Sequence, residues 1–288
     1  MVWSARAATE FMAVSIRIGS MFMFFLETQP LWVSGAIIVG LGTLLSLVGL
    51  VLVRRCVDVR ILTSNNELAG HKFATIGVLY AVTLAFAIIV VWGKFADADT
   101  IVAQEAGAAG NLFRLSQGVG DKGAALRSAV ANYLKAAIND DWPAMDRGAA
   151  DAEEIVGAEG AAKEALDSIY STLVSSSGQA DSAVLSEMLR QVDLVAHSRR
   201  ARLIASEGAV PNLLWLVLIG GAAITIGYTF FFGAESLRAQ ALMTALLAIM
   251  IFSELLVVVG IDRPFSGAVK VGPNALAAVL ADYGLPPR

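Results

Sequence analysis

One carboxylate stands alone inside an apolar run. In LLAIMIFSELLVVVGIDRPFSG, residues 246–267, Glu254 is the only acidic or basic residue between positions 239 and 261. Ionising a carboxyl group deep in hydrocarbon costs several kcal/mol unless it is paired or wetted. Two kinds of chemistry are therefore open to it. It exchanges a proton or meets a passing ion, or it stays protonated or hydrogen-bonded as part of helix packing. Asp262 follows about two helical turns later, so partial access to a membrane interface is open to Glu254. Other polar groups in the apolar runs include Thr75, Tyr80, Thr83, Thr225, Tyr228, Thr229, Thr244 and Ser253. Threonine hydroxyls satisfy themselves on the preceding turn of their own helix. A partner for Glu254 must come from a neighbouring helix, with Tyr80, Thr83 and Tyr228 as the candidates.

Catalytic signatures are missing elsewhere. The chain has no GxxxxGK phosphate loop, no HExxH, no GxSxG and no dinucleotide fingerprint. Intramembrane aspartyl proteolysis needs two facing carboxylates, and only Glu254 lies well inside an apolar run. The single cysteine, Cys56, makes no intrachain disulfide, and His71 and His197 are isolated. The expectation is a protein that is not an enzyme and has no metal site or cofactor.

The elements that would position Glu254 follow from composition. Of 288 residues, 57% are hydrophobic and 16% charged, far from the ~25% charged of soluble domains. Residues 31–53, 73–92 and 209–234 contain no Asp, Glu, Lys or Arg, and 239–261 contains only Glu254. Each run reaches the ~20 residues that a helix needs to cross ~30 Å of hydrocarbon. The fold class expected is an all-α integral membrane protein with four transmembrane helices, arranged as two hairpins (31–95 and 209–261). A soluble helical insert, 96–208, separates them. Small residues run along helix 1 (Gly35, Gly42, Ser46, Gly49), helix 2 (Ala74, Gly77, Ala81, Ala85) and helix 3 (Gly220, Ala223, Gly227). Such stripes let backbones approach within lipid, against helices of the same chain or of a neighbouring subunit.

The insert carries 17 acids and 10 bases, about −7, against 8 acids and 11 bases, about +3, elsewhere; the total is −4. That balance gives no support to nucleic-acid binding. Segments LRSAVANYLKAAI, AAKEALDSIYSTLV and AVLSEMLRQVDLVAHSRRARL place apolar residues three and four apart, as in Leu126, Val130, Tyr133 or Leu134, and Ile138. With QEAGAAGNLFRLS they make a bundle of about four helices, divided by GVGDKG, DDWPAM and SSSGQ. Asn65 or Asn66 is placed to cap helix 2 ahead of Glu67. Residues 262–288 form an interfacial tail in which Pro273 starts a short helix with Leu276, Val279, Leu280 and Tyr283 on one face. That helix lies on the membrane or docks on the insert. Residues 1–30 read as an uncleaved amphipathic segment, with Trp3, Phe11, Ile18, Phe22 and Phe25 at helical spacing. Basic residues near the helix ends nearly balance between the two sides, so they do not set the orientation of the insert.

The helix 2 region from NNELAGHKFATIGVLYAVTLAFAIIVVWGKFADADT onward, with DDWPAM, RRARL, VPNLLWLVLIGGA and RAQALMTALL...DRPFSG, resembles a bacterial membrane family of unknown function called bestrophin-like. The likeness covers about residues 60–282 and implies kinship with bestrophins, homo-oligomeric anion channels with an insert between the second and third of four membrane helices. It implies a multi-pass protein of the bacterial inner membrane, with copies of itself, the lipid bilayer and inorganic ions, anions above all, as partners. By the same resemblance helix 2 lines the pore, with Leu79, Thr83, Phe86 and Val90 as lining residues and Glu67 or Glu105 as charged rings. The net acidity of the insert runs against anion attraction. No acidic cluster matches a calcium clasp, so calcium gating is not carried over. The alternative is a non-conducting membrane scaffold or sensor whose insert binds a partner.

Overall fold

The structure is a computed structural model that describes residues 30–64, 66–119, 122–147, 160–175 and 181–284. Residues 1–29 of the amphipathic segment expected over 1–30, the Asn65 cap and most of SSSGQ lie outside these residues. Among the described residues the secondary structure is entirely helical: α1 (Leu31–Cys56), α2 (Val59–Ser64), α3 (Asn66–Leu115), α4 (Gly123–Ala136), α5 (Trp142–Asp146), α6 (Ala161–Ser175), α7 (Ser182–Ala205), α8 (Asn212–Thr229), α9 (Leu237–Ile261) and α10 (Asn274–Asp282). Helices α1, α3, α8 and α9 are long and apolar enough to cross a membrane. Only 11–33% of each apolar window is buried within the protomer, so most of this surface requires hydrocarbon or another subunit as its neighbour.

The chain divides into two compact units. The first runs to Trp92 and includes Ala209–Asp262; the second is Gly93–Gly208 with the residues from Arg263 onward. In the first unit α1 packs against α9 and α8, and its glycines explain how. A Cβ at Gly35 would come within 3.3 Å of Leu256, one at Gly42 within 2.8 Å of the Phe252 ring, and one at Gly49 within 2.7 Å of the Phe230 ring. The helix 1 stripe therefore serves packing inside the protomer. On α8 the packing glycine is Gly221, where a Cβ would sit 2.5 Å from the Tyr80 ring; around Gly220, Gly227 and, on α3, Gly77 nothing lies within 4 Å.

The turn joining α8 to α9 is held by side chains from α1, α3 and α9. Asn66 donates to Gly233 O (2.7 Å) and accepts from Gly233 N (2.8 Å), Arg54 donates to Ala234 O (2.8 Å), and Gln240 donates to Phe232 O (2.6 Å). Asn66, expected as a helix cap, thus spends its amide across the fold. Gly233 has to be glycine there, because a Cβ would meet Thr63 N at 2.3 Å. At the other end of α9, Asp262 accepts from Ala209 N (2.9 Å) and Val210 N (2.8 Å), tying down the entry to α8.

In the second unit the later part of α3 packs with α4, α6, α7 and α10 around one core that includes Leu112, Leu126, Val130, Tyr133, Leu134, Ile169, Val192 and Val195. The described part of this unit is helical, and it differs from the expectation at its start. Helix 2 does not stop near Phe95 but continues without a break to Leu115. The apolar run ends there, yet DADTIVAQEAGAAGNL contains no proline and only isolated glycines, so nothing in the backbone chemistry ends the helix. The carboxy-terminal helix docks on this unit: Leu276 and Leu280 are buried in its core, Tyr283 stacks on Phe113 at 3.7 Å, and its hydroxyl donates to Gly110 O at 3.1 Å.

Candidate functional site

Helix α3 presents three kinds of surface in its apolar part. Tyr80, Leu84, Ala87 and Val91, spaced four, three and four, are buried against the first unit. Leu79, Thr83, Phe86 and Val90 fall within a strip about 60° wide at 3.6 residues per turn. Leu79, Phe86 and Val90 are 66%, 65% and 53% exposed, while Thr83 is half-buried and donates to Leu79 O at 2.9 Å. The small residues Ala74, Ala81 and Ala85 are exposed on a third side. The strip and these small residues face different ways, roughly 150° apart at 3.6 residues per turn.

The two carboxylates expected as rings behave differently. Glu67 is exposed, but twelve residues before Leu79 it points about 120° away from the strip. Glu105 is not a surface charge at all. It is fully buried, accepting from Arg202 Nε (2.7 Å) and Nη2 (3.0 Å) and from the Tyr133 hydroxyl (2.6 Å). A carboxylate so enclosed and neutralised within its own protomer presents no charge to a passage, which removes it as a ring candidate.

Around Glu105 lies a charge cluster that sequence reasoning missed. Arg202 Nη2 also reaches Asp141 at 3.0 Å, Arg199 grips Asp141 with two bonds of 2.9 and 3.0 Å, and the Arg202 guanidinium lies 4.3 Å from the centre of the Trp142 ring. Two acids and two bases balance. Burial pushes the Arg202 guanidinium down, but the facing Glu105 carboxylate outweighs it and holds the group above its ordinary range. Burial first, then Glu105, pushes the Tyr133 hydroxyl well above its usual value, so it remains a donor. A turn of π-helix at Ala137–Asp141 brings Asp141 inward to Arg199 and Arg202. A signal for the rest was present. Glu105 continues the buried series Ala98, Val102, Glu105, Ala109 and Leu112, and Arg199 and Arg202 continue Met188, Val192 and Val195, each spaced by threes and fours.

Glu254 is half-buried and forms no hydrogen bond or ion pair among the described residues. Of its three candidate partners, Thr83 bonds to its own helix and Tyr228 stacks with Phe73 at 6.1 Å. Tyr80 has a buried hydroxyl with no hydrogen-bond partner among the described residues. A cavity of about 570 Å³ between α1, α8 and α9 is apolar throughout except for Ser46, whose hydroxyl donates to Gly42 O at 2.8 Å. Such a lining cannot replace the hydration of an ion. His71, His197 and Cys56 are exposed, and no group of three metal-ligating side chains occurs among the described residues.

The fold has known counterparts. A crystal structure of a bacterial bestrophin homologue from Klebsiella pneumoniae matches with a TM-score of 0.65 at 16% identity, over 86% of this chain and 99% of that one. A variant of the same homologue matches with a TM-score of 0.63 at 16% identity, over 85% and 99% of the two chains. A further structure, described as a membrane protein, matches with a TM-score of 0.65 at 16% identity, over 85% and 98%. No curated protein matches by sequence. The family model for the bestrophin-like domain matches residues 40–276, most of the 288 residues, and the chain belongs to the bestrophin-like family.

Proposed function

We propose that the chain is one subunit of a homo-oligomeric ion channel, permeable to anions, in the bacterial inner membrane. The pore is lined by the Leu79, Thr83, Phe86 and Val90 strip of α3. In this reading α1 and the first part of α3 form one membrane hairpin, α8 and α9 the other, and residues 96–208 stand outside the bilayer. The observation that carries it is the exposure of Leu79, Phe86 and Val90 on one side of a helix in a bestrophin-like chain. The apolar cavity inside the protomer offers no polar path, which favours a pore formed by assembly. Narrow apolar strips of this kind gate by dewetting: water and ions leave when the radius shrinks and return when it grows.

The test is ion flux in liposomes from protein whose oligomeric state has been verified. Phe86→Ala, which widens the strip without touching the buried face, raises flux over the parent. A verified oligomer without flux under any gradient or pH rejects the channel reading and leaves the scaffold. A purely monomeric particle rejects it as well.

A further inference from the structure

We infer that Lys72 sets the ion preference of the proposed pore by placing a ring of positive charge at one end of the apolar strip. The inference rests on the channel reading and adds to it the residue that distinguishes anions from cations. Lys72 lies 18 residues before Val90, five whole turns at 3.6 residues per turn, so the two side chains leave α3 in the same direction. Leu79 follows seven residues after Lys72, about 10 Å along the axis. Between them Thr75, also exposed, falls on the same side of the helix.

Lys72 is exposed and forms no ion pair among the described residues, so its charge is not cancelled within the protomer. Its surroundings in sequence reinforce the sign. Over 54–72 and 233–240 the first unit has five bases (Arg54, Arg55, Arg60, Lys72, Arg238) against three acids (Asp58, Glu67, Glu235). The chain as a whole is acidic, but this end is locally positive. The local sign, repeated once per subunit, governs which ions gather at the mouth of the strip, because a charge acts over only ~8 Å at physiological salt. Glu67, the acid nearest in sequence, points about 140° away from Lys72 and does not neutralise the ring.

A lysine at a membrane interface also has a simpler use, laying its stem along lipid with its ammonium in water. The two uses differ in one measurable quantity. In planar bilayers under a salt gradient, the parent protein shows an anion-over-cation permeability ratio above unity. Lys72→Gln lowers that ratio by roughly fivefold, the factor a unit charge exerts at close range in water. Lys72→Glu inverts it, Lys72→Arg preserves it, and Asp97→Asn, the acid seven residues beyond Val90, leaves it nearer the parent than Lys72→Gln does. Each variant is checked for the parent's oligomer size first. Conducting oligomers of Lys72→Gln and Lys72→Glu with the parent's ratio overturn the inference and leave the channel intact. So does a cation-selective parent, or a ratio that follows Asp97 alone. A parent oligomer that never conducts overturns the channel reading and this inference together.

Discussion

Replacing Arg202 by methionine removes one base from a balanced cluster and keeps most of the side-chain volume. Glu105 then loses its two bonds of 2.7 and 3.0 Å and keeps only the Tyr133 hydroxyl, while Asp141 still holds Arg199. One carboxylate is left without a base at a site with 0% exposure. Breaking a buried pair by removing one partner costs ~3–5 kcal/mol. At ~2–4 °C per kcal/mol for chains of this size, the unfolding midpoint of the purified protein falls by roughly 6–20 °C, read by tryptophan fluorescence. Adding Glu105→Gln removes the stranded charge but keeps an acceptor for Tyr133, and recovers at least half of the loss, a coupling that a double-mutant cycle reads directly. A variant that unfolds with the parent at neutral pH, or two substitutions whose effects simply add, would refute this account.

Four further outcomes are expected. Gly233→Ala lowers the midpoint by ~1–3 kcal/mol equivalent, since its Cβ meets Thr63 backbone, whereas Gly77→Ala leaves the protomer's midpoint unchanged because nothing lies within 4 Å; thermal scans of both decide it. The Glu187 carboxyl titrates near 2 in carbon NMR, held down first by Arg190 at 2.6 Å and then by Gln191. Its contribution is present above 4.5 and fades as pH falls toward 2, and because the group is exposed the effect on stability is small and salt-sensitive. The Tyr170 phenol, pushed up to about 12 by burial and then by its 2.6 Å bond to Asp193, shows delayed phenolate absorbance on alkaline titration, and Asp193→Asn moves the transition back toward 10. Glu254→Gln assembles like the parent and changes the pH profile of flux; an identical profile reduces Glu254 to a packing residue.

The four apolar helices were readable in the sequence because lipid-crossing runs are a matter of composition and length. The helices of the second unit were readable because their apolar spacing is regular. The end of helix 2 was not, since hydropathy marks where lipid contact ends and says nothing about where a helix ends. Glu105 was misplaced as an exposed ring because its partner Arg202 is 97 positions away, although both lie in register with buried neighbours. A charged residue that continues an apolar stripe on one helix, matched by the opposite charge doing the same on another, is the pattern that would have found them. Asp141 would still have escaped, because a π turn sets its direction and no residue type encodes that turn.

The composition of the second unit's core also fixes an order of events during synthesis. Its helices from Gly93 to Gly208 leave the ribosome before α8 and α9, but Phe265, Leu276 and Leu280, which complete the same core, follow both apolar helices. This unit cannot close until the last apolar helix has emerged. Until then the partly formed bundle carries an open apolar face, a state in which newly made chains are prone to aggregate. A chain truncated after Asp262 would retain all four apolar helices and never close that face, so the tail from Arg263 onward acts as the final stitch of a unit begun more than 150 residues earlier.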